Sequence, residues 1–330
     1  MKKLEKRKVQ NYNSRNINKR NVSRNKKAQI IKLKRKKRNR NRFLFSIIII
    51  MALAIGINKL QDNVSNIPSI TSDEINLFID EADKHSQDKA QLNWKELAAI
   101  NAVLSTEDFK VIDENTISEI SNAMYIDGTT KRRSFNETLD KLLLTDKQKE
   151  KAEEILNSLK NVSLREKYNG KDISKEEFIH NLTEPSKRCY EKYGVLPSIA
   201  IGQAILESQW GTSELATKYN NYYGIKADSS WNGAICNYST KENYDDVIKA
   251  NFRAYNTIEE SVLDLGAFIN NNSRYRENGF FNGGNYTEQA EALERAGYAT
   301  LKDENGTLIY ADLLIQIIRE NNFMVLDSEV

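Results

Sequence analysis

The spacing of apolar positions divides the chain. Residues 1–42 have no apolar period and are rich in Asn, Lys and Arg, the composition of a disordered segment. Next comes "FLFSIIIIMALAIGI" at 43–57, an uncharged apolar run between Arg42 and Lys59, and then a short polar linker, "NKLQDNVSNIPSIT". From Ser72 to Lys160 apolar residues recur with a helical period, and no strand alternation shows. Three segments carry this pattern: "SDEINLFIDEADKH", with Ser72 as its expected N-cap, "NWKELAAINAVL" and "TLDKLLLTDKQKEKAEEILNSLK". Residues 161–175 form a polar connector containing Asn169-Gly170. Beyond it, Pro197-Ser198 opens a helix and Gly211 closes it. Residues 234–241 and 247–255 alternate as two strands around the turn "NYDD", and Thr257-Ile-Glu-Glu260 reads as a capping box that makes Glu260 structural. The expected divisions are a tail at 1–42, a membrane helix at 43–60, a linker at 61–71, a helical accessory domain at 72–165 and a functional domain at 174–330.

Charge sharpens this division. Residues 1–42 hold 19 of the 49 basic residues and one of the 46 acidic ones, which leaves the remainder strongly acidic. A cationic segment against a short apolar run predicts a single membrane span, with flanking Arg42 and Lys59 reaching the interface. The positive side stays cytoplasmic, touching anionic lipid, and everything after about residue 60 lies outside the cell. A cleaved signal peptide is an alternative, because "ALA" at 52–54 fits a cleavage pattern, although the basic region is long for one. A nucleic-acid-binding arm is another, but beside a membrane span it is the weaker reading, and no nucleic-acid partner is expected. Residues 72–165 hold no chemical constellation and read as a spacer or regulator, or alternatively a dimerisation element.

The chemistry available is narrow. The chain has two histidines, His85 and His180, which excludes a histidine-rich zinc site and argues against a Ser-His-Asp triad. His180 and Cys189 lie on one expected helix with poor directions for a thiol dyad. Cys189 and Cys236 either pair or remain buried thiols. No phosphate loop or dinucleotide fingerprint is present, and no cofactor or metal is called for. What remains is carboxylate chemistry.

Within "QAILESQWGTS" at 203–213, Ala200, Gln203, Ala204 and Glu207 share one helical face. Small residues there allow close approach, so Glu207 is expected at packed material or a cleft floor. It lies in the last helical turn, where the dipole is negative. Desolvation and dipole both disfavour ionisation and raise its pKa, as a proton donor to a glycosidic oxygen requires. A buried glutamate tied to Thr212 or Ser213 fits these features equally well.

The segment "LPSIAIGQAILESQWGTSELATKYNNYYGIKA" at 196–227 resembles the glucosaminidase family of bacterial autolysins, glycoside hydrolase family 73. The likeness continues, in the family's order, through "SWNG" at 230–233, "TKENY" at 240–244, "FRAYNTIEESVLDLGAFI" at 252–269 and "AGYAT" at 296–300. The resemblance implies a mainly α protein whose lysozyme-like α+β catalytic domain carries a small β-hairpin lobe. It maps the catalytic acid to Glu207, a β-lobe carboxylate to Glu242 (with Asp245 and Asp246 as rivals) and a nearby tyrosine to Tyr298. The matching segments offer Gln203, Trp210, Asn221, Tyr223, Trp231 and Tyr255 as substrate contacts, with Trp231 the best placed to stack on a sugar. Two departures stand out. Tyr222-Tyr223 replaces Leu-Phe, and "LKDENGTLIY" replaces the Asp-Pro after Tyr298.

The expected function is a membrane-anchored endo-β-N-acetylglucosaminidase whose partner is the peptidoglycan glycan strand. Glu207 protonates the leaving oxygen, while Glu242 activates water or steadies charge. Inverting, retaining and substrate-assisted routes all stay open. A lytic transglycosylase and a non-catalytic wall-binding module are the rivals.

Overall fold

A computed structural model describes residues 69–105, 109, 114–164, 173–242 and 246–330, with side chains except those of Ile173 and residues 239–249. The first helix, α1 (Ser72–His85), begins one residue earlier in its capping than the expected Ser72. Thr71 is the N-cap, because only Thr71 stands three residues before Glu74 and completes a reciprocal capping box. Ile75, Phe78, Ile79 and Ala82, at three- and four-residue spacing, form its buried stripe.

The second helix, α2 (Trp94–Leu104), is capped by Asn93 and buried on every side from Trp94 to Ala102. It packs against α1, α3 (Glu114–Ala123) and α5 (Asp146–Leu159), making it the axis of the N-terminal bundle. The single stripe expected over 138–160 is two helices. Between α4 (Phe135–Lys141) and α5, Leu143 takes a left-handed φ of 56°, and Thr145 with Gln148 forms another capping box that restarts the helix. The strong local start signal at Thr145 overrides a continuous apolar period.

The long helix α6 (Ile173–Tyr193) packs on α7 (Pro197–Ser208), which is buried nearly throughout and contacts α11 (Tyr286–Arg295), α12 (Tyr310–Glu320) and α13 (Met324–Asp327). Two glycines allow helices to meet. A Cβ at Gly202 on α7 would lie 2.6 Å from Leu314 of α12. One at Gly266 on α9 (Ile258–Asn271) would lie 2.6 Å from Cys189 Sγ of α6.

Short helices α8 (Glu214–Tyr219) and α10 (Ser273–Glu277) complete the helical set. The expected hairpin forms as β1 (Ala234–Glu242) and β2 (Asp246–Ala254), antiparallel, with Glu242 opposite Asp246. Bridging of Lys226 to Phe252 ties it to the preceding loop. The protein is thus mainly helical with one small two-stranded sheet among the described residues.

All described residues fall within one compact unit, Pro68–Val330. Cys189 and Cys236 are both buried free thiols and do not pair. The run at 43–57 lies outside the described residues, and among the described residues no helix is long and apolar enough to cross a membrane.

Candidate active site

The turn after α7 explains why Trp210 and Gly211 follow Glu207. Gln209, Trp210 and Gly211 have φ of 52°, 60° and 76°, three consecutive left-handed residues, of which the two non-glycines are strained by about 1 kcal/mol each. Ser208 holds this turn. Its hydroxyl donates to Ala204 O and accepts Gly211 N–H at 2.8 Å, while Ser213 N–H donates to Ser208 O at 2.9 Å. A Cβ at Gly211 would come within 2.7 Å of the Phe178 ring, so close approach as well as φ demands glycine there. The helix therefore stops abruptly, one residue past Glu207.

Glu207 is exposed at the molecular surface, yet protein encloses its carboxyl on most sides. Burial raises its pKa, and a hydrogen bond from Tyr310 only partly offsets the rise. Thr212 and Ser213 do not hold it. The Thr212 hydroxyl donates to Gln209 O at 2.7 Å, and the Ser213 hydroxyl caps α8 by accepting Ala216 N–H at 3.3 Å. Of the two sequence-level readings of Glu207, the tied-down glutamate therefore lacks its ties.

The partner of Glu207 is a residue that the motif comparison passes over. Tyr310, the first residue of α12 and 4% exposed, donates its hydroxyl to Glu207 Oε1 at 3.0 Å and accepts from Gln203 Nε2 at 3.1 Å. The Gln203 carbonyl oxygen, fully buried, meets no donor among the described residues. Tyr298 packs beside Tyr310 with ring centroids 5.5 Å apart and a 33° tilt. Burial, then Tyr310 and Glu207, pushes the Tyr298 pKa well up, and burial, then Glu207, does the same for Tyr310, so both phenols stay neutral.

The segment between them is a self-contained hairpin. Lys302 bridges Leu308, and Asp303 Oδ1 accepts Asn305 N–H at 2.9 Å and Thr307 N–H at 2.8 Å. It returns the chain so that Tyr298 and Tyr310 stack. The only local signal for Tyr310 is that it opens the strongly amphipathic "YADLLIQIIRE".

The remaining candidates divide by exposure. Asn221 is 1% exposed, donates to Ile225 O at 3.0 Å and Arg253 O at 2.8 Å, and accepts Ile225 N–H at 3.1 Å. Tyr223 donates to Ala200 O at 3.2 Å, and Tyr255 to Asp264 Oδ2 at 2.6 Å. All three are buried and spend their polar atoms on protein. Trp231 and Trp210 are half-buried. The Trp231 indole N–H donates to Ala234 O at 2.9 Å, with the Arg253 guanidinium 4.5 Å from its ring centroid. Trp210 leans on Phe178, with the Lys175 ammonium 4.9 Å from its ring centroid. Glu242 ends β1 opposite Asp246, and its side chain lies outside the described set, as do Asp245 and the Asp246 side chain. Glu260 accepts Asn256 N–H at 2.8 Å, while its own N–H donates to Thr257 at the start of α9.

Residues 183–323 match the family described as Glucosaminidase: Mannosyl-glycoprotein endo-beta-N-acetylglucosaminidase. The exo-glucosaminidase LytG of Bacillus subtilis is 39% identical over 149 residues, which are 43% of this chain and 50% of that protein. The peptidoglycan hydrolase FlgJ of Vibrio parahaemolyticus is 33% identical over 150 residues, 44% of this chain and 46% of that protein. The chain thus spans about half the length of these curated relatives. Among solved structures, the glycoside hydrolase domain of Salmonella typhimurium FlgJ is 31% identical, covering 46% of this chain and 89% of that one at a TM-score of 0.37.

Proposed function

We propose that the protein hydrolyses peptidoglycan, with Glu207 as the proton donor, on the ground that residues 183–323 match the glucosaminidase family. The finer proposal is endo-cleavage of the β-1,4 bond on the N-acetylglucosamine side. One observation carries it: Glu207 is an exposed residue whose carboxyl is held toward its protonated form by burial and is bonded by a neutral hydroxyl instead of a cation.

In the proposed reaction the Glu207 proton passes to the bridging oxygen as the bond to the anomeric carbon breaks. The leaving sugar departs with that proton. Tyr310, already donating to Oε1, stabilises the carboxylate produced. Water then adds hydroxide to the anomeric carbon, and its remaining proton goes to Glu242 where that residue activates the water, or back to Glu207 where Glu242 only steadies charge. Glu242, at the tip of the lobe, is assigned to water activation or to steadying positive charge. Tyr298 backs Tyr310 through their stacked rings. Trp231 and Trp210, the half-buried aromatics, are the proposed sugar platforms. Gln203, Asn221, Tyr223 and Tyr255 contribute by holding the framework, since their bonds go to protein groups. We further assign residues 43–57 as one membrane anchor, with the basic tail cytoplasmic and the domain outside.

Digestion of purified peptidoglycan by the full chain, with products weighed by mass spectrometry, tests the reaction. Reducing N-acetylglucosamine ends that vanish with Glu207→Gln are expected. Anhydro-muramyl ends would transfer the reading to a lytic transglycosylase. Undiminished lysis by Glu207→Gln would remove the acid from the scheme.

A further inference from the structure

The N-terminal bundle is bonded to the same helix that supplies Tyr310. At the end of α12, Arg319 donates Nη2 to Asp83 Oδ2 at 2.6 Å and Nη1 to Asp80 Oδ1 at 2.9 Å, both on α1. Its Nε donates to Tyr286 OH of α11 at 3.0 Å, and Tyr286 donates in turn to Asp83 Oδ2 at 2.6 Å. Gln91 Nε2 reaches the other oxygen of Asp83 at 3.0 Å. One turn further on, Asn322 Oδ1 accepts the Trp94 indole N–H at 3.1 Å, and its Nδ2 donates to Val162 O at 2.7 Å. Four donors or acceptors from the bundle thus fix one end of a single helix.

Between that end and Tyr310 the helix rests on α7 at its closest point. Leu314 and Ile318 pack directly over Gly202, where a Cβ would lie 2.6 Å and 3.3 Å away. So α12 meets Glu207 at its start, Gly202 in the middle and α1 at its end, and it packs along α11 as well. Packing on α7 and α11 holds the middle of the helix, and the bonds from Arg319 add a tie from its far end to α1. Arg319 lies about two and a half turns from Tyr310 on this rod.

We propose that the bundle is a positioning device for the active site. Through Arg319, clamped by Asp83 and Tyr286, it sets the tilt of α12 and so the hydrogen bond from Tyr310 to Glu207. Arg319 is then a positioning residue. This rests on the reading of Glu207 as the acid, but it has a readout that does not require activity. The groups facing Glu207 are Tyr310 from α12, Tyr298 from the preceding loop and neutral Gln203 of its own helix. The groups facing the clamp are Asp80 and Asp83 of α1, Tyr286 of α11 and, by its charge, Asp327 of α13.

The Tyr310 hydrogen bond favours the carboxylate, so loosening it raises the Glu207 pKa. In the full chain, carbon-detected NMR titration of Glu207 in Arg319→Met should show that rise, in the direction given by Tyr310→Phe. On purified peptidoglycan, kcat should fall about tenfold with KM within about twofold, equivalent to ~1.4 kcal/mol of barrier, and the alkaline limb of activity should move to higher pH. Arg319→Lys, which keeps the charge opposite Asp83, should recover part of both effects. The decisive comparison is Arg319→Met added to Tyr310→Phe, which should change neither titration nor rate further.

An unchanged Glu207 titration in Arg319→Met, or a full second loss in the double variant, would overturn the proposal. If Arg319→Met does not fold, Trp94→Phe removes the neighbouring anchor at Asn322 and takes the same measurements. A wild-type chain inert on peptidoglycan would sink the hydrolase reading alone, leaving the titration to decide the clamp.

Discussion

The two ends of α7 each meet a carboxylic acid that burial has pushed upward, and only one of them opens to the surface. At the N-terminal end, Asp327 of α13 is 4% exposed. It accepts the Ser198 N–H at 2.9 Å and the Ser198 hydroxyl, and desolvation drives its pKa to about 7 against those two bonds. At the C-terminal end, Glu207 is also raised by burial but opens to the surface, with a single neutral hydroxyl on one oxygen. A raised pKa reports removal from water and nothing more. A proton donor needs access to a second molecule as well, and the two helix termini differ in that respect.

This contrast can be broken experimentally. Glu207→Gln should lower kcat on peptidoglycan by about a thousandfold or more, some 4 kcal/mol of barrier. Asp327→Asn, at a group likewise raised by burial, should keep activity within about threefold. Equal losses at both sites would erase the distinction. Asp327→Ala should instead show in melting. Leaving Ser198 N–H and hydroxyl without their acceptor costs about 2 kcal/mol, a fall in Tm of roughly 6 °C.

Gly202→Val probes the helix between the two ends. Its branched side chain must enter the space of Leu314 and Ile318, which costs about 2 kcal/mol of stability. Tyr310→Phe should cost about tenfold in kcat and little stability, since the ring packing survives and one hydroxyl is lost.

The smallest effect is in stability against pH. Asp327 binds its proton more tightly folded than unfolded. Its contribution is therefore fully present below the ordinary carboxylate range near 4 and is lost as pH climbs through about 7. Glu207 acts in the same direction. Denaturant titrations should show the decline flattened in Asp327→Asn. An unaltered slope would show that Asp327 ionises normally.

Much of the fold can be read from the chain because its signals are local. Caps at Asn93, Ser213 and Thr257, proline at the start of α7 and the alternation of β1 and β2 each involve residues within a few positions of one another. Misplacements are local too. Ser72 next to Thr71 is a choice between adjacent hydroxyls, settled by the distance to Glu74. The break at Leu143 hides because Leu142, Leu143 and Leu144 continue an apolar run that the capping box at Thr145 interrupts.

The site is legible at Glu207, where one acid on an apolar helix ends in a forced left-handed turn. It is not legible at Tyr310, which lies 103 residues away beyond an atypical hairpin. Nor could spacing show that Asn221, Tyr223 and Tyr255 turn their polar atoms inward, because burial is a property of what packs over a residue.

By itself, then, the sequence determined the helical character, the hairpin, the glutamate on an apolar helix at position 207 and the likeness of its C-terminal half to the glucosaminidase family. Each depends on neighbours along the chain or on an ordered series of short motifs. Tertiary structure alone decided which hydroxyl faces that acid, which of two perturbed carboxylates meets solvent, and that Arg319 joins α12 to the N-terminal helices. Those facts arise where distant segments exclude water from one another, and no local pattern of residues records which segments will meet.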